Sequence, residues 1–521
     1  MADNVIAPVA GDLIRRQVGT SDDFAATLSD LTLVGDAGGD LLNSSKGGND
    51  ILRAARASIS IYGDAVGSAF NSSQGGDDTI IGESGGYIEL TVYGDVGGDM
   101  TNHSKGGNDI FTGLTGRQVV ATFFGDAGGA LSGNARGGND AFITSTSQGA
   151  DHTFYGDAGG DMYDRSIGGD DSFQASRQAQ NIFYGDSGND MYGFAQGGSD
   201  TFTARSDGGG VFYGDAARDI FGHARGGNDT FVGAVFAYQT FFGDAGRDLS
   251  GYSEGGDDNF TEGGGAVTEI RFYGDAGVDI SGNAKGGNDT FSSVNAGDVY
   301  FYGDAGEVMS GRAQGGNDRA SLQGHSNIAF GDATTFINNA QGGDDVLGGG
   351  DGSFVDVTSY IFGDAQLMTG SCHGGNDAIS GGTAREAGEV VVNYLWGDAA
   401  TLSGRSEGGD DYIHAGAAVS GSFVRNEMWG DGDLRGNALG GRDHFVLRDH
   451  GTESAGTLNT IHDFSQEQGD IIDFVGTSAV RSFQDLTISS NGSDTVITAG
   501  AVQVTLAGFS GVMTSSDFSF V

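Results

Sequence analysis

Aspartates carried by two short glycine-rich words dominate the chemistry open to this chain. The first word, G-D, recurs fourteen times, from Gly35-Asp36 and Gly63-Asp64 to Gly397-Asp398 and Gly430-Asp431. The second, G-G-x-D, follows each first word after 10 to 12 residues, from Gly47-Gly48-Asn49-Asp50 to Gly440-Gly441-Arg442-Asp443. A period near 30 residues built on Gly and Asp specifies a solenoid, in which equivalent residues of successive coils stack in columns. Stacked strands lie about 4.8 Å apart. Carboxylates at that separation repel by roughly 3.5 kcal/mol at an effective dielectric near 20, and by about 1 kcal/mol in bulk water. Such columns require a cation. Asp carboxylates and Gly carbonyls are oxygen ligands suited to a hard ion, and a flexible Gly turn fits Ca2+ better than Mg2+. The competing reading is that Asp and Asn only cap turns through local hydrogen bonds.

The elements that would hold these words are short strands. The residue before G-D is aromatic in thirteen of fourteen repeats, as in Tyr62, Tyr93, Phe124, Trp396 and Trp429, with Val34 the exception. The residue before that is mostly large and apolar, as in Phe154, Phe183, Phe212 and Phe272. Two residues after each G-G-x-D aspartate stands another apolar side chain, such as Leu52, Phe111, Phe231 or Phe445. Alternation over short segments bounded by Gly is a strand signal, and Gly at this density disfavours helix. The predicted fold is all-β: a right-handed parallel β-roll or β-helix of about fourteen coils. The residue two before each Gly should point inward. The aromatic before Gly and the Asp after it should share the other face. The spacing between G-D and G-G-x-D is nearly constant and reads as a rigid edge. The return segment varies and contains a loop, longest around Gly348–Gly352 and Thr383–Ala387.

Here the residues resemble a known family. Tyr184-Gly185-Asp186-Ser187-Gly188-Asn189-Asp190 resembles the RTX nonapeptide G-G-x-G-x-D-x-U-x, and Gly287-Asn288-Asp289-Thr290-Phe291 matches its second half. The resemblance implies turns that hold Ca2+ between coils through Asp carboxylates and backbone carbonyls. The implied first ligands close G-G-x-D: Asp50, Asp78, Asp109, Asp140, Asp171, Asp200, Asp229, Asp258, Asp289, Asp318, Asp345, Asp377, Asp411 and Asp443. Those closing G-D-x-x-x-D come next: Asp40, Asp99, Asp161, Asp190, Asp219, Asp248 and Asp279. The G-D aspartates complete the candidates: Asp36, Asp64, Asp95, Asp126, Asp157, Asp186, Asp215, Asp244, Asp275, Asp304, Asp332, Asp364, Asp398 and Asp431. RTX words run in tandem every nine residues, whereas this period is near 30. A wider coil is implied, with three sides as one solution. The third aspartate is replaced in seven repeats, by Ala130, Val308 or Met368 for example, so that edge would bind metal over only part of its length.

Composition excludes several classes. Gly is 99 of 521 residues and Pro only 1, without a triplet period, so collagen is excluded. The 33 Phe at fixed phases argue against disorder. A net charge of -46 with three Lys and no basic run disfavours nucleic acid and anionic lipid as partners. No apolar run is long enough to span a membrane. Cys372 is the only cysteine and reads as a bystander beside His373.

The organisation expected is an N-terminal cap segment over 1–30, a repeat solenoid over 31–447 and a β cap over 448–521. Met1–Val5 carries no basic or apolar signal region, so no cleaved Sec leader is expected. The segment Thr460–Phe474 resembles the one that closes RTX proteins, including the serralysin C-terminal region. Three strands are expected after it, around 485–488, 495–498 and 502–506. The ending Ser515–Val521 looks like the uncleaved signal of type I secretion substrates, which implies export by that machinery to the cell surface or medium.

Catalytic motifs are sparse. The nine His form no H-E-x-x-H, and scattered ones such as His103, His152, His223 and His325 are expected to face solvent. Gly82-Glu83-Ser84-Gly85-Gly86 fits G-x-S-x-G, a match that so many glycines produce by chance. The function expected is a calcium-binding structural or interaction protein of a surface layer, matrix, biofilm or adhesive role. Its partners would be a cell-surface glycan or its own copies in filaments. The alternative is a polysaccharide lyase or epimerase on a β-helix. That alternative predicts a local break in periodicity, of which only a mild excess of polar groups near Arg435–His450 is visible.

Overall fold

The computed structural model describes residues 4–6, 10–26, 31–54, 59–82, 88–113, 119–144, 150–175, 179–204, 209–233, 238–262, 267–352, 356–448, 456–476 and 480–521. These fall into two compact units, Met1–Val267 with Asp275–Gly277, and Thr268–Gly274 with Val278–Val521. Both are parallel β-solenoid, about 13 turns in all, against fourteen coils expected.

Each coil has three sides. In the first unit Ile88–Tyr93, Met100–Thr101 and Ile110–Gly113 make one coil, and Val119–Phe124, Leu131–Ser132 and Ala141–Thr144 the next. Every strand pairs in parallel with its copy one coil on, Tyr93 with Phe124, Met100 with Leu131 and Phe111 with Phe142. Pairing also reaches the N-terminal segment, where Leu13–Ile14 joins Leu41–Leu42 and Asp23–Ala26 joins Ile51–Ala54. In the second unit Val390–Trp396, Ala399–Gly404 and Tyr412–His414 repeat as Phe423–Trp429, Asp433–Gly436 and His444–Arg448.

Inward alternation accounts for the core. The residue two before each Gly is buried, as in Ile61, Phe123, Phe154, Phe183 and Phe212, and so is the residue two after each G-G-x-D aspartate. These two sides meet inside the coil. Phe142 stacks on Phe173 at 4.9 Å and Phe154 on Phe183 at 4.8 Å, while Phe142 meets Phe154 edge-on at 5.4 Å. A third inner ladder, Met100, Leu131, Met162, Met191 and Ile220, fills the remaining side. Phe202→Ala empties a fully buried site between two stacked neighbours, Phe173 and Phe231. It should cost about 3 to 5 kcal/mol, read as a lower urea midpoint in saturating calcium. A loss below about 1 kcal/mol would show that the ladder is not the core.

The C-terminal segment is also β structure and pairs with the last coil. Thr457–Ile461 extends one side of the last coil, and Thr487–Ser490, Thr495–Ala499 and Val502–Leu506 form an antiparallel meander beside it. The first of the three expected strands begins later than 485, because Phe483–Asp485 is a 3-10 turn. Phe518–Phe520 pairs in parallel with Ile471–Val475, so the chain's final residues form the outermost strand of one side. Of the long return segment near 383–387, Ala384 sits in a small apolar cluster with Val357, Val391, Ala418 and Val424, while 385–387 are exposed. Among the described residues no helix is long and apolar enough to cross a membrane.

Candidate metal columns

The aromatics before G-D form the expected outer ladder. Tyr62 stacks on Tyr93 at 4.7 Å and Tyr155 on Tyr184 at 4.8 Å, and in the second unit Trp396 stacks on Trp429 at 4.5 Å. The aspartate after Gly does not share that face. Asp64, Asp126, Asp186 and Asp398 are fully buried. The strand ends at the aromatic residue and the backbone bends at Gly-Asp, so period-2 alternation stops there and the carboxylate turns into the corner.

That corner explains the constant spacing of the two words. G-D carboxylates along both units accept a hydrogen bond from the second Gly N–H of their own G-G-x-D. Gly76 donates to Asp64 at 2.8 Å, Gly138 to Asp126 at 2.9 Å and Gly227 to Asp215 at 2.8 Å. In the second unit Gly343 donates to Asp332 at 2.8 Å and Gly409 to Asp398 at 2.7 Å. Glycine is required here by space. A Cβ on Gly226 would collide with Asp244 Oδ1 of the next coil, and one on Gly227 with the Gly198 carbonyl oxygen.

The G-G-x-D aspartates form a second buried column. Oδ1 of each accepts the backbone N–H of its counterpart one coil earlier: Asp50 N–H to Asp78, Asp171 to Asp200 and Asp200 to Asp229, all at 2.6 Å. The second unit repeats this, with Asp318 donating to Asp345 at 2.6 Å and Asp345 to Asp377 at 2.7 Å. The other oxygen, Oδ2, is buried without a hydrogen-bond partner in Asp50, Asp78, Asp109, Asp140, Asp171, Asp200, Asp229, Asp345, Asp377, Asp411 and Asp443. In the G-D column one oxygen is equally bare in Asp64, Asp95, Asp126, Asp332, Asp364 and Asp398. The bare Oδ2 atoms face carbonyl oxygens. A Cβ on Gly214 would collide at once with Asp229 Oδ2 and the Gly243 carbonyl, and a Cβ on Gly331 with Asp345 Oδ2 and the Gly363 carbonyl.

Acceptor facing acceptor with no donor between them is unfavourable unless a proton or cation intervenes. Burial, and after it the charges of neighbouring aspartates, lifts the carboxyls of Asp95, Asp126, Asp200 and Asp398 well above the usual range. Burial pushes Asp244 and Asp364 up to about 7. Among the described residues no three His, Cys, Asp or Glu side chains converge as one cluster. An ion held here would therefore draw on carboxylates of the two columns and on Gly carbonyls, which is the donor chemistry of Ca2+.

The G-D-x-x-x-D aspartates differ. Asp40, Asp161, Asp190, Asp219, Asp248 and Asp279 are half-buried and Asp99 is exposed. Arg247 forms an ion pair with Asp219 and lies 3.4 Å from Asp248, and Arg218 lies 3.7 Å from Asp190. Guanidinium groups neutralise part of this row, so its electrostatic demand for metal is weaker. The G-G-x-D column also gains members that no word announced. Asp22 N–H donates to Asp50 at 2.6 Å, and Asp443 N–H donates to Asp470 at 3.2 Å. Asp463, pushed up to about 7 by burial, accepts from Gly430 at 3.0 Å and Gly432 at 2.8 Å. Asp22 and Asp470 keep the closing Asp and one Gly, in Gly19-Thr20-Ser21-Asp22 and Gln468-Gly469-Asp470, and spacing alone could have found them.

Two histidines depart from expectation. His152 is buried, and burial pushes its imidazole down to about 4, so it is neutral at physiological pH. His444 in the polar stretch lies 2.7 Å from Asp473. Cys372 is buried with its thiol donating to the Thr369 carbonyl, and burial raises its pKa, which keeps it unreactive. Of the G-x-S-x-G match, residues 83–86 lie outside the described residues.

No protein-family model matches the chain, and no curated protein or solved structure matches it.

Proposed function

We propose that this chain is a secreted, calcium-binding structural or interaction protein of RTX type, whose solenoid folds as it binds Ca2+ outside the cell. The observation that carries the reading is the repeated, buried carboxylate oxygen with no donor, set against a glycine carbonyl coil after coil. Turn capping accounts for Oδ1 of the G-G-x-D aspartates, which accepts a backbone N–H, but it leaves Oδ2 unexplained. A cation between coils accounts for both oxygens.

Extracellular calcium modules bind in the range of about 0.1 to 1 mM, far above cytosolic calcium, so folding would be coupled to export. The type I route fits a chain that crosses the envelope unfolded and orders its final strand, Phe518–Phe520, only afterwards. The reading is structural rather than enzymatic because the periodic residues serve stacking and ion binding.

Calcium titration followed by far-UV circular dichroism tests it. At pH 7.5 in excess EGTA the strand signal should be lost. It should return cooperatively with a midpoint near millimolar free calcium, and magnesium at equal concentration should not restore it. A strand spectrum unchanged by EGTA would contradict the proposal.

A further inference from the structure

One patch of the first unit breaks the chain's acidic regularity. On the side carrying Leu131, Met162 and Met191, successive coils align Asn134, Arg165, Phe194, His223 and Tyr252 at one offset. A parallel row aligns Arg136, Ile167, Gln196, Arg225 and Glu254. Between the two rows lies a shallow groove of about 350 Å³ lined by Asn134, Arg136, Arg165, Ile167, Phe194 and Gln196.

Three features point to a ligand. Phe194 is 54% exposed and is the first ring of a stacked ladder, with His223 at 5.0 Å and then Tyr252 at 5.1 Å beyond it. Only one ring face of Phe194 is covered by His223. The other faces the groove and carries the Arg165 guanidinium over it, 5.8 Å from the centroid, a cation-π contact. Arg136 and Arg165 are exposed, and no carboxylate among the described residues pairs with either. Asp164, next in the chain, makes no ion pair with Arg165, whereas Arg225 is satisfied by Glu254 at 2.9 Å. In a chain of net charge -46, two guanidiniums without a carboxylate partner, one of them over an exposed aromatic ring, are a selective feature.

We propose that this groove binds an acidic saccharide, with a pyranose ring packed against the exposed edge of Phe194, its carboxylate held by Arg136 and Arg165, and its hydroxyls met by Asn134 and Gln196. Guanidinium and carboxylate pair bidentately, and an aromatic face with a few amides is the usual furniture of a polar-ligand site. Coils repeat about every 4.8 Å, a length of the same order as one sugar unit, so neighbouring coils can meet neighbouring sugars. Nucleic acid is the poorer fit, since its dense phosphates need many cations and would meet a strongly acidic surface. The proposal deepens the reading of the chain as an extracellular interaction protein and rests on it for the source of the glycan.

The test uses the full chain in 2 mM calcium, with strand content checked by circular dichroism, titrated calorimetrically with a galacturonate hexamer. The acid should bind at least tenfold more tightly than its methyl ester. R136Q/R165Q should weaken binding at least tenfold, about 1.4 kcal/mol, and F194A about fivefold, with strand content unchanged. Three results would overturn the proposal: no binding by folded wild-type protein, equal binding of the ester, or undiminished binding by R136Q/R165Q. The last would mean calcium bridging to the general acidic surface. Tighter binding of duplex DNA or of phosphatidylserine vesicles would overturn the saccharide assignment. If the chain stays folded in EGTA, the calcium reading fails alone, and the same titration run in EGTA still decides the groove.

Discussion

Stripped of divalent cations, the chain is expected to lose its strands at neutral pH and to regain them as the pH falls towards 4. The cause lies in the two buried columns. Burial holds the folded-state pKa of these aspartates above the unfolded value of about 3.9, so the folded chain binds more protons than the unfolded one. Stability must then fall as pH rises. The favourable contribution is complete below about pH 4 and is lost as pH climbs through about 7 for Asp244 and Asp364, while aspartates such as Asp126 and Asp200 are likewise raised well above the usual range. A rise from the ordinary range to about 7 is worth on the order of 4 kcal/mol per isolated buried group. A handful of such groups outweighs the roughly 5 to 15 kcal/mol that holds an ordinary domain together. Millimolar calcium should abolish the dependence between pH 6 and 8, because the ion replaces the proton between facing oxygens. Spectra recorded from pH 4 to 9 with and without EDTA would show it. A metal-free chain that gains strand signal as pH rises would contradict this account.

The second large effect is a change of sign produced by one substitution. In Asp200→Asn, Oδ1 can still accept the Asp171 N–H, now made at 2.6 Å. The amide nitrogen replaces the bare Oδ2, which faces the Gly214 carbonyl, and can donate to it. One negative charge leaves a column where Asp171 and Asp229 are its neighbours, each repelling it by on the order of 3 kcal/mol at an effective dielectric near 20. The metal-free protein should therefore be stabilised, keeping its strands in EGTA to a higher pH than the unsubstituted chain. The same variant should gain less from calcium and bind fewer ions. If the aspartates only capped turns, the substitution would shift both conditions in the same direction. Parallel shifts would remove the cation from the argument.

The coil itself was legible because its words are strict. Gly before Asp sets the corner, and the flanking Phe or Tyr sets which residue faces inward, so Phe154 and Phe183 were placed correctly from phase alone. The face of Asp64 was not legible, since alternation holds along a strand and fails where the backbone bends at Gly63. The ion pairs of Arg218 and Arg247 were hidden for another reason. Each Arg precedes an Asp in sequence, but Arg218 pairs with Asp190, and Arg247 with Asp219 as well as its neighbour Asp248; the partners one coil away are shown only by the register. Asp463 was hidden by a changed word. His462 replaces the usual aromatic and Asp463 follows it directly with no Gly between, yet His462 stacks on Trp429 at 4.2 Å and continues that ladder. The uncompensated pair Arg136 and Arg165 was invisible for a similar reason: residues 29 apart meet only when coils stack.

Crystals grown in calcium and measured for anomalous scattering would address the central claim most directly. The account predicts difference peaks repeating from coil to coil, each within about 2.3 to 2.6 Å of an Asp Oδ2 and a glycine carbonyl oxygen. Well-ordered corners with no such peaks, in crystals saturated with calcium, would contradict it.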